Sequence, residues 1–196
     1  MRAAFLIAAA ALLTACSNAP NPQLDFVKNL STLCDKSYFG KVVSDDTVDA
    51  DWRAAEIEVG PVACGIADIR MPLRVGENTS RTWIITPNKG SITLKHDHRH
   101  DDGSPDAVTL YGGTTSTVGT AIRQEFPVDA YSIDLFKREG LAPSVTNTWT
   151  MEIMPGETLA YELSRPRTEQ QIEAGDKRGR FFRIEFDVST HVNSGE

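Results

Sequence analysis

Three histidines at alternate positions, His96, His98 and His100, are the residues of this chain best spaced for concerted chemistry. They lie in Leu94-Lys95-His96-Asp97-His98-Arg99-His100-Asp101-Asp102-Gly103-Ser104. Side chains at i, i+2 and i+4 of a β-strand share a face, so an unbroken strand from Ile92 sets the three imidazoles beside Ile92 and Leu94. Lys95, Asp97, Arg99 and Asp101 then face water. Alternate Cα atoms are about 6–7 Å apart, close enough for two imidazoles to share one Zn²⁺, Cu²⁺ or iron ion. A strand neighbour or a carboxylate such as Asp106 would complete the shell, and the cofactor so implied is a divalent transition metal. A second reading makes the histidines partners of a small anionic ligand, together with Tyr111 and with Arg81 or Arg123. A third leaves them as polar residues at a barrel mouth, bonded to Tyr111 or Thr109. In a buried strand His98, the middle one, is expected to be the least accessible.

Other chemistry is sparse. The chain carries no G-x-S-x-G, no H-E-x-x-H and no Walker loop. Gly112-Gly113 reads as a bulge or bend rather than a phosphate cradle. Asp101 to Asp106 has the composition of a calcium loop without its ligand spacing and reads as a solvated turn. Glu152 and Glu162 fall on the outward faces of a hairpin, which argues against paired-carboxylate catalysis. Trp83, Trp149 and Phe182 read as core.

The elements that must position the histidines follow from hydropathy. Asn21-Pro22 is an N-cap followed by proline at the first helical position, and Leu24, Phe26, Val27, Leu30 and Leu33 then recur at helical spacing. Beyond Cys34 the period becomes two. Alternating apolar positions mark strands at Ile57–Val59, Ile69–Val75, Trp83–Ile85, Ile92–Leu94, Val108–Leu110, Ile122–Phe126, Trp149–Ile153, Leu159–Leu163 and Phe182–Val188. Pro87-Asn88-Lys89-Gly90 and Pro155-Gly156 supply turns. Asp129 to Arg138, stopped by Gly140, reads as one short inserted helix, and Arg165 to Arg180 as a long polar loop. The fold expected is mainly β: a single antiparallel barrel of about nine or ten strands, lipocalin-like, over residues 23–196, with a β-sandwich as the alternative.

The first residues read as an address. Met1-Arg2 and the apolar run Ala3 to Leu13 form a short signal sequence, too short to span a bilayer. Leu13-Thr14-Ala15-Cys16 resembles the lipobox of bacterial lipoprotein signals. That resemblance implies removal of residues 1–15, acylation of Cys16 with chains such as palmitate, and a tether over residues 16–22. Ser17 after the cysteine implies the outer membrane, facing the periplasm, rather than the inner one. The remaining 19 basic and 27 acidic residues give the processed chain a net charge of −8, unlike the basic surface that nucleic-acid binding needs. Cys34 and Cys64, alone together in an oxidising compartment, are expected to form a disulfide.

Arg81-Thr82-Trp83, the histidine strand, Tyr111-Gly112-Gly113 and Gln124-Glu125-Phe126-Pro127-Val128-Asp129-Ala130-Tyr131 together resemble a group of uncharacterised bacterial secreted proteins and lipoproteins. The resemblance implies no activity. The function expected is therefore a membrane-anchored binding module whose cavity mouth carries the histidines. A metal-dependent enzyme or metal-binding protein using the same residues, and a structural envelope protein with a filled barrel, are the alternatives.

Overall fold

The computed structural model describes residues 20–173, 175 and 179–191, so the expected signal sequence and Cys16 lie outside the described residues. The chain enters through α1 (Pro22–Leu30), where the Asn21 side chain caps the helix by accepting from the Leu24 amide at 3.2 Å. The buried stripe is Gln23, Phe26, Leu30 and, in the following 3₁₀ turn, Leu33. Leu24 is instead 61% exposed. The apolar spacing admitted two faces, and the one containing Gln23 is inward because its amide reaches Thr115 Oγ1 at 3.0 Å and the Thr117 carbonyl at 3.2 Å.

Strands β1 (Tyr38–Val42), β2 (Ile57–Val59), β3 (Ala63–Cys64), β4 (Ile69–Val75), β5 (Asn78–Asn88), β6 (Ser91–His98) and β7 (Tyr111–Thr114) follow, with a short α2 (Ala50–Ala54) between β1 and β2. After β8 (Arg123–Pro127) come α3 (Ala130–Arg138), β9 (Thr148–Met154), β10 (Thr158–Arg165), α4 (Glu169–Glu173) and β11 (Arg180–Asp187). Ten of these strands form one antiparallel sheet in the order β7-β6-β5-β4-β2-β1-β11-β10-β9-β8, with β3 pairing β4 to one side. The two ends of that order meet through a bridge between Gly113 and Val128 and through the Asp129 amide donating to the Gly112 carbonyl at 3.1 Å. The result is a nearly closed barrel, the expected arrangement, and not the alternative sandwich. Gly113 permits the closure, since a Cβ there would collide with the carbonyl oxygens of Phe126 and Pro127.

Some expectations differ from the structure. β1 was not legible because its inward positions are Tyr38, Gly40 and Val42, and the Phe186 ring fills the space beside Gly40 where a side chain would have continued the pattern. Val108 and Leu110 precede β7 in an irregular segment rather than forming it. The polar stretch Arg165 to Arg180 contains the short α4.

Helix α1 closes one end of the barrel, the end of the β5–β6 turn. Phe26, Leu30 and Leu33 are buried there in one cluster with residues such as Ile85, Ile92 and Ile153. The Cys34–Cys64 disulfide, with Cα atoms 5.7 Å apart, ties the end of the helical segment to β3. The other end, where β6 finishes and β7 begins, stays open.

Candidate functional site

Two of the three histidines point into the open end. Strand β6 continues the inward face of Ile92 and Leu94 through His96 and His98, then stops. Arg99 bridges to Pro105, the His100 carbonyl accepts from the Gly103 amide at 2.8 Å, and His100 is exposed on that turn. The turn chemistry of Asp101-Asp102-Gly103 thus captures His100 before the strand can present it inward. The opposite face of β6 is not open to water as expected. Asp97 is only 8% exposed, accepting from Thr109 Oγ1 at 3.1 Å and from Arg99 Nε at 3.0 Å. Lys95 reaches Asp129 at 2.5 Å, and Asp129 caps α3 by accepting from the Ser132 amide at 2.9 Å. Burial alone would push the Asp129 carboxyl up, but its bonds to Lys95 and Ser132 hold it below the usual carboxylate range. The loop after β6 and helix α3 therefore cover this face and fix the histidine strand from behind.

His96, not His98, is the least accessible histidine, at 3% exposure. Its Nδ1 lies 3.1 Å from the Tyr111 carbonyl, an acceptor, so Nδ1 carries the proton. Its Nε2 then accepts from the Tyr161 hydroxyl at 2.7 Å. Burial, with the nearby charges of His98 and Lys95 adding to it, lowers the pKa to about 3 despite the opposing carbonyl bond. The imidazole is accordingly neutral and locked in one tautomer. The rings stack around it: Tyr111 on His96 at 4.6 Å, Trp83 on Tyr161 at 4.3 Å, Trp149 tilted against His96 at 5.1 Å. Burial also pushes the Tyr111 phenol up to about 12. His98 stands nearer the mouth. Its Nε2 meets the Tyr111 hydroxyl at 3.3 Å, and burial together with the Arg81 charge lowers its pKa against the pull of Asp106 and Asp97.

These side chains line a cavity of about 290 Å³. Trp83, His96, Tyr111, Trp149 and Tyr161 line it together with Trp52, Arg81, Phe136, Asn147 and Arg180. The volume lies at the low end of the range for small-molecule sites. Arg81 holds its guanidinium 5.2 Å from the Trp52 ring centre and donates to Asn78 Oδ1 at 2.7 Å. Arg180 is engaged by Asp49 at 2.5 Å and Asp46 at 3.1 Å. Asn147 is 5% exposed, and its Oδ1 has no hydrogen-bond partner among the described residues.

Arg123 is not in this cavity. It lies on the outer face of β8, pairing with Glu152, with Glu125 at 3.1 Å and with Glu162 at 3.4 Å. Parity separates the two arginines: Arg81 pairs in register with His98, whereas Arg123 pairs with the outward Glu152. Among the described residues no three His, Cys, Asp or Glu side chains come together so as to hold a metal ion. Both nitrogens of His96 are engaged within the protein, and His100 is remote from the cavity lining. Trp52, Asn147 and Arg180 were not foreseen as site residues. Trp52 lies on the short α2, Asn147 follows a 3₁₀ turn and Arg180 opens β11, and none of these positions has a periodicity before it that announces the side-chain direction. Comparison of the chain with protein-family models, with curated proteins and with solved structures finds no match.

Proposed function

We propose that this chain is a lipid-anchored envelope protein whose barrel binds a small ligand through the open end, against His96, His98 and Tyr111. The observation that carries the reading is the cavity itself. Its aromatic wall is fixed by stacking and by the Tyr161–His96–Tyr111 bonds, so the space is formed before any ligand enters. A preformed pocket avoids part of the ordering cost of binding. A barrel serving only as an envelope strut would gain more stability by filling this space with aliphatic side chains, as its closed end does. The anchor rests on Leu13-Thr14-Ala15-Cys16 and faces the cell envelope by the same reading, with the outer membrane as the expected site. Permanent attachment follows from several acyl chains at about 0.8 kcal/mol per buried methylene.

Two measurements test the reading. Anilinonaphthalene sulfonate, an aromatic probe, should bind the folded domain with one-to-one stoichiometry and change the emission of Trp83 and Trp149. Absence of saturable binding would remove the cavity reading. Radiolabelled palmitate should enter the wild-type protein and not Cys16→Ala; unlabelled wild type would remove the anchor.

A further inference from the structure

The geometry points to a specific ligand chemistry for this cavity: a planar one- or two-ring aromatic acid, its carboxylate held at the arginine-lined mouth and its ring against the aromatic wall. The inference rests on the binding reading above and names the class of ligand. The wall supplies the planar part. Trp83, Tyr111, Trp149 and Phe136 present aromatic surface to the space, and about 290 Å³ holds one or two rings. Charge supplies the second part. Arg81, Arg165 and Arg180 gather at the mouth, Arg165 reaching Ser144 Oγ at 3.5 Å beside the lining. Asp46 and Asp49 are both committed to Arg180. Arg81 has no carboxylate within ion-pair distance among the described residues, and only one of its hydrogen bonds, to Asn78, is made. The planar fork of Arg81 is thus left able to take a carboxylate in two parallel bonds. His98 adds a ring edge beside it, with only Nε2 bonded.

A purely apolar ligand would leave Arg81 unanswered. A cationic ligand would meet a mouth where Arg81, Arg165 and Arg180 outnumber the carboxylates Asp46 and Asp49 that pair with Arg180.

Calorimetry on the protein with three probes tests the ligand class: indole-5-carboxylate, its carboxamide, and naphthoate, a second planar acid. The carboxylate should bind about tenfold or more tighter than the carboxamide, the loss expected for a charge-assisted pair. Arg81→Gln should erase that preference while Arg81→Lys retains part of it. Naphthoate, with the same charge and a planar ring, should also bind. Equal binding of carboxylate and carboxamide overturns the ligand class and leaves the cavity reading standing. Saturable binding of anilinonaphthalene sulfonate with no binding of the three probes does the same. Silence of all four probes overturns both.

Discussion

Where α1 closes the barrel, Phe26, Leu30, Leu33, Ile85, Ile92 and Ile153 are each 2% exposed or less and make a dry aliphatic and aromatic plug. A few residues along, β5, β6 and β10 turn Trp83, His96 and Tyr161 into the same lumen, and the core becomes aromatic and hydrogen-bonded. The sheet, the pleat and the parity do not change between the two ends; only the side chains do. One end is filled to the density that stability favours, while the other keeps a cavity, an unbonded carbonyl and an excess of guanidinium charge. The closed end should therefore set stability and the open end should set binding, with little exchange between them.

The largest test is at the closed end. Phe26→Ala removes a fully buried ring under the barrel and should cost roughly 3–5 kcal/mol in denaturant melts. Probe affinity of the protein that remains folded should be unchanged. A parallel loss of affinity would mean that α1 transmits to the cavity and that the two ends are one unit. The disulfide comes next. Replacing Cys34 and Cys64 by Ser frees a loop of 30 residues and should lower stability by roughly 3–4 kcal/mol, again with affinity preserved.

The third test belongs to the open end. An unfolded histidine takes up a proton near pH 6.5, whereas folded His96 stays neutral to about pH 3. The unfolded chain thus binds the extra proton first, and acid favours unfolding. The stabilisation is complete above about pH 6.5 and falls by up to about 1.4 kcal/mol per pH unit below it. His98, also lowered by burial and by Arg81, adds to the slope in the same direction. Above about pH 5 the carboxylates Asp129 and Glu152, both held low in the fold, contribute little to it, since even their unfolded values, about 3.9 and 4.3, lie below that pH. Melts at intervals from pH 7.5 to 5.5 should show this decline in wild type and a shallower one in His96→Gln. Identical slopes would mean that His96 is not held neutral.

How far the sequence disclosed this depended on what repeats. Ile69, Met71 and Leu73, or Phe182, Ile184 and Phe186, alternate over whole strands, and so the barrel was legible along with the inward parity of His96 and His98. The same parity argument failed at His100, because it presumes that the strand continues, and the turn at Gly103 ends it. It failed at Asp97 because a strand pattern says which face a residue is on and not what later packs against that face; here the Thr109 segment does. Asn147, just past a 3₁₀ turn, and Trp52, on the five-residue α2, lie on segments too short to carry a periodic signal.

Arg123 gives the smallest expected effect and the sharpest control. From sequence it and Arg81 were equally good partners for an anion near the histidines, and the fold separates them by one wall. Outside that wall Arg123 and Arg183 thread through Glu125, Glu152, Glu162 and Glu185 across β8 to β11. Arg183 touches both Glu152 and Glu162, so these carboxylates keep a cation when Arg123 is removed. Arg123 is also 39% exposed, which leaves its ion pairs screened by solvent and salt. Arg123→Gln should therefore cost less than about 1 kcal/mol, and less again as salt is raised. Its affinity for indole-5-carboxylate should equal that of wild type, in contrast to Arg81→Gln. If both arginine variants lose the carboxylate preference alike, long-range charge rather than the mouth geometry sets it, and the division between lumen and outer face loses its meaning.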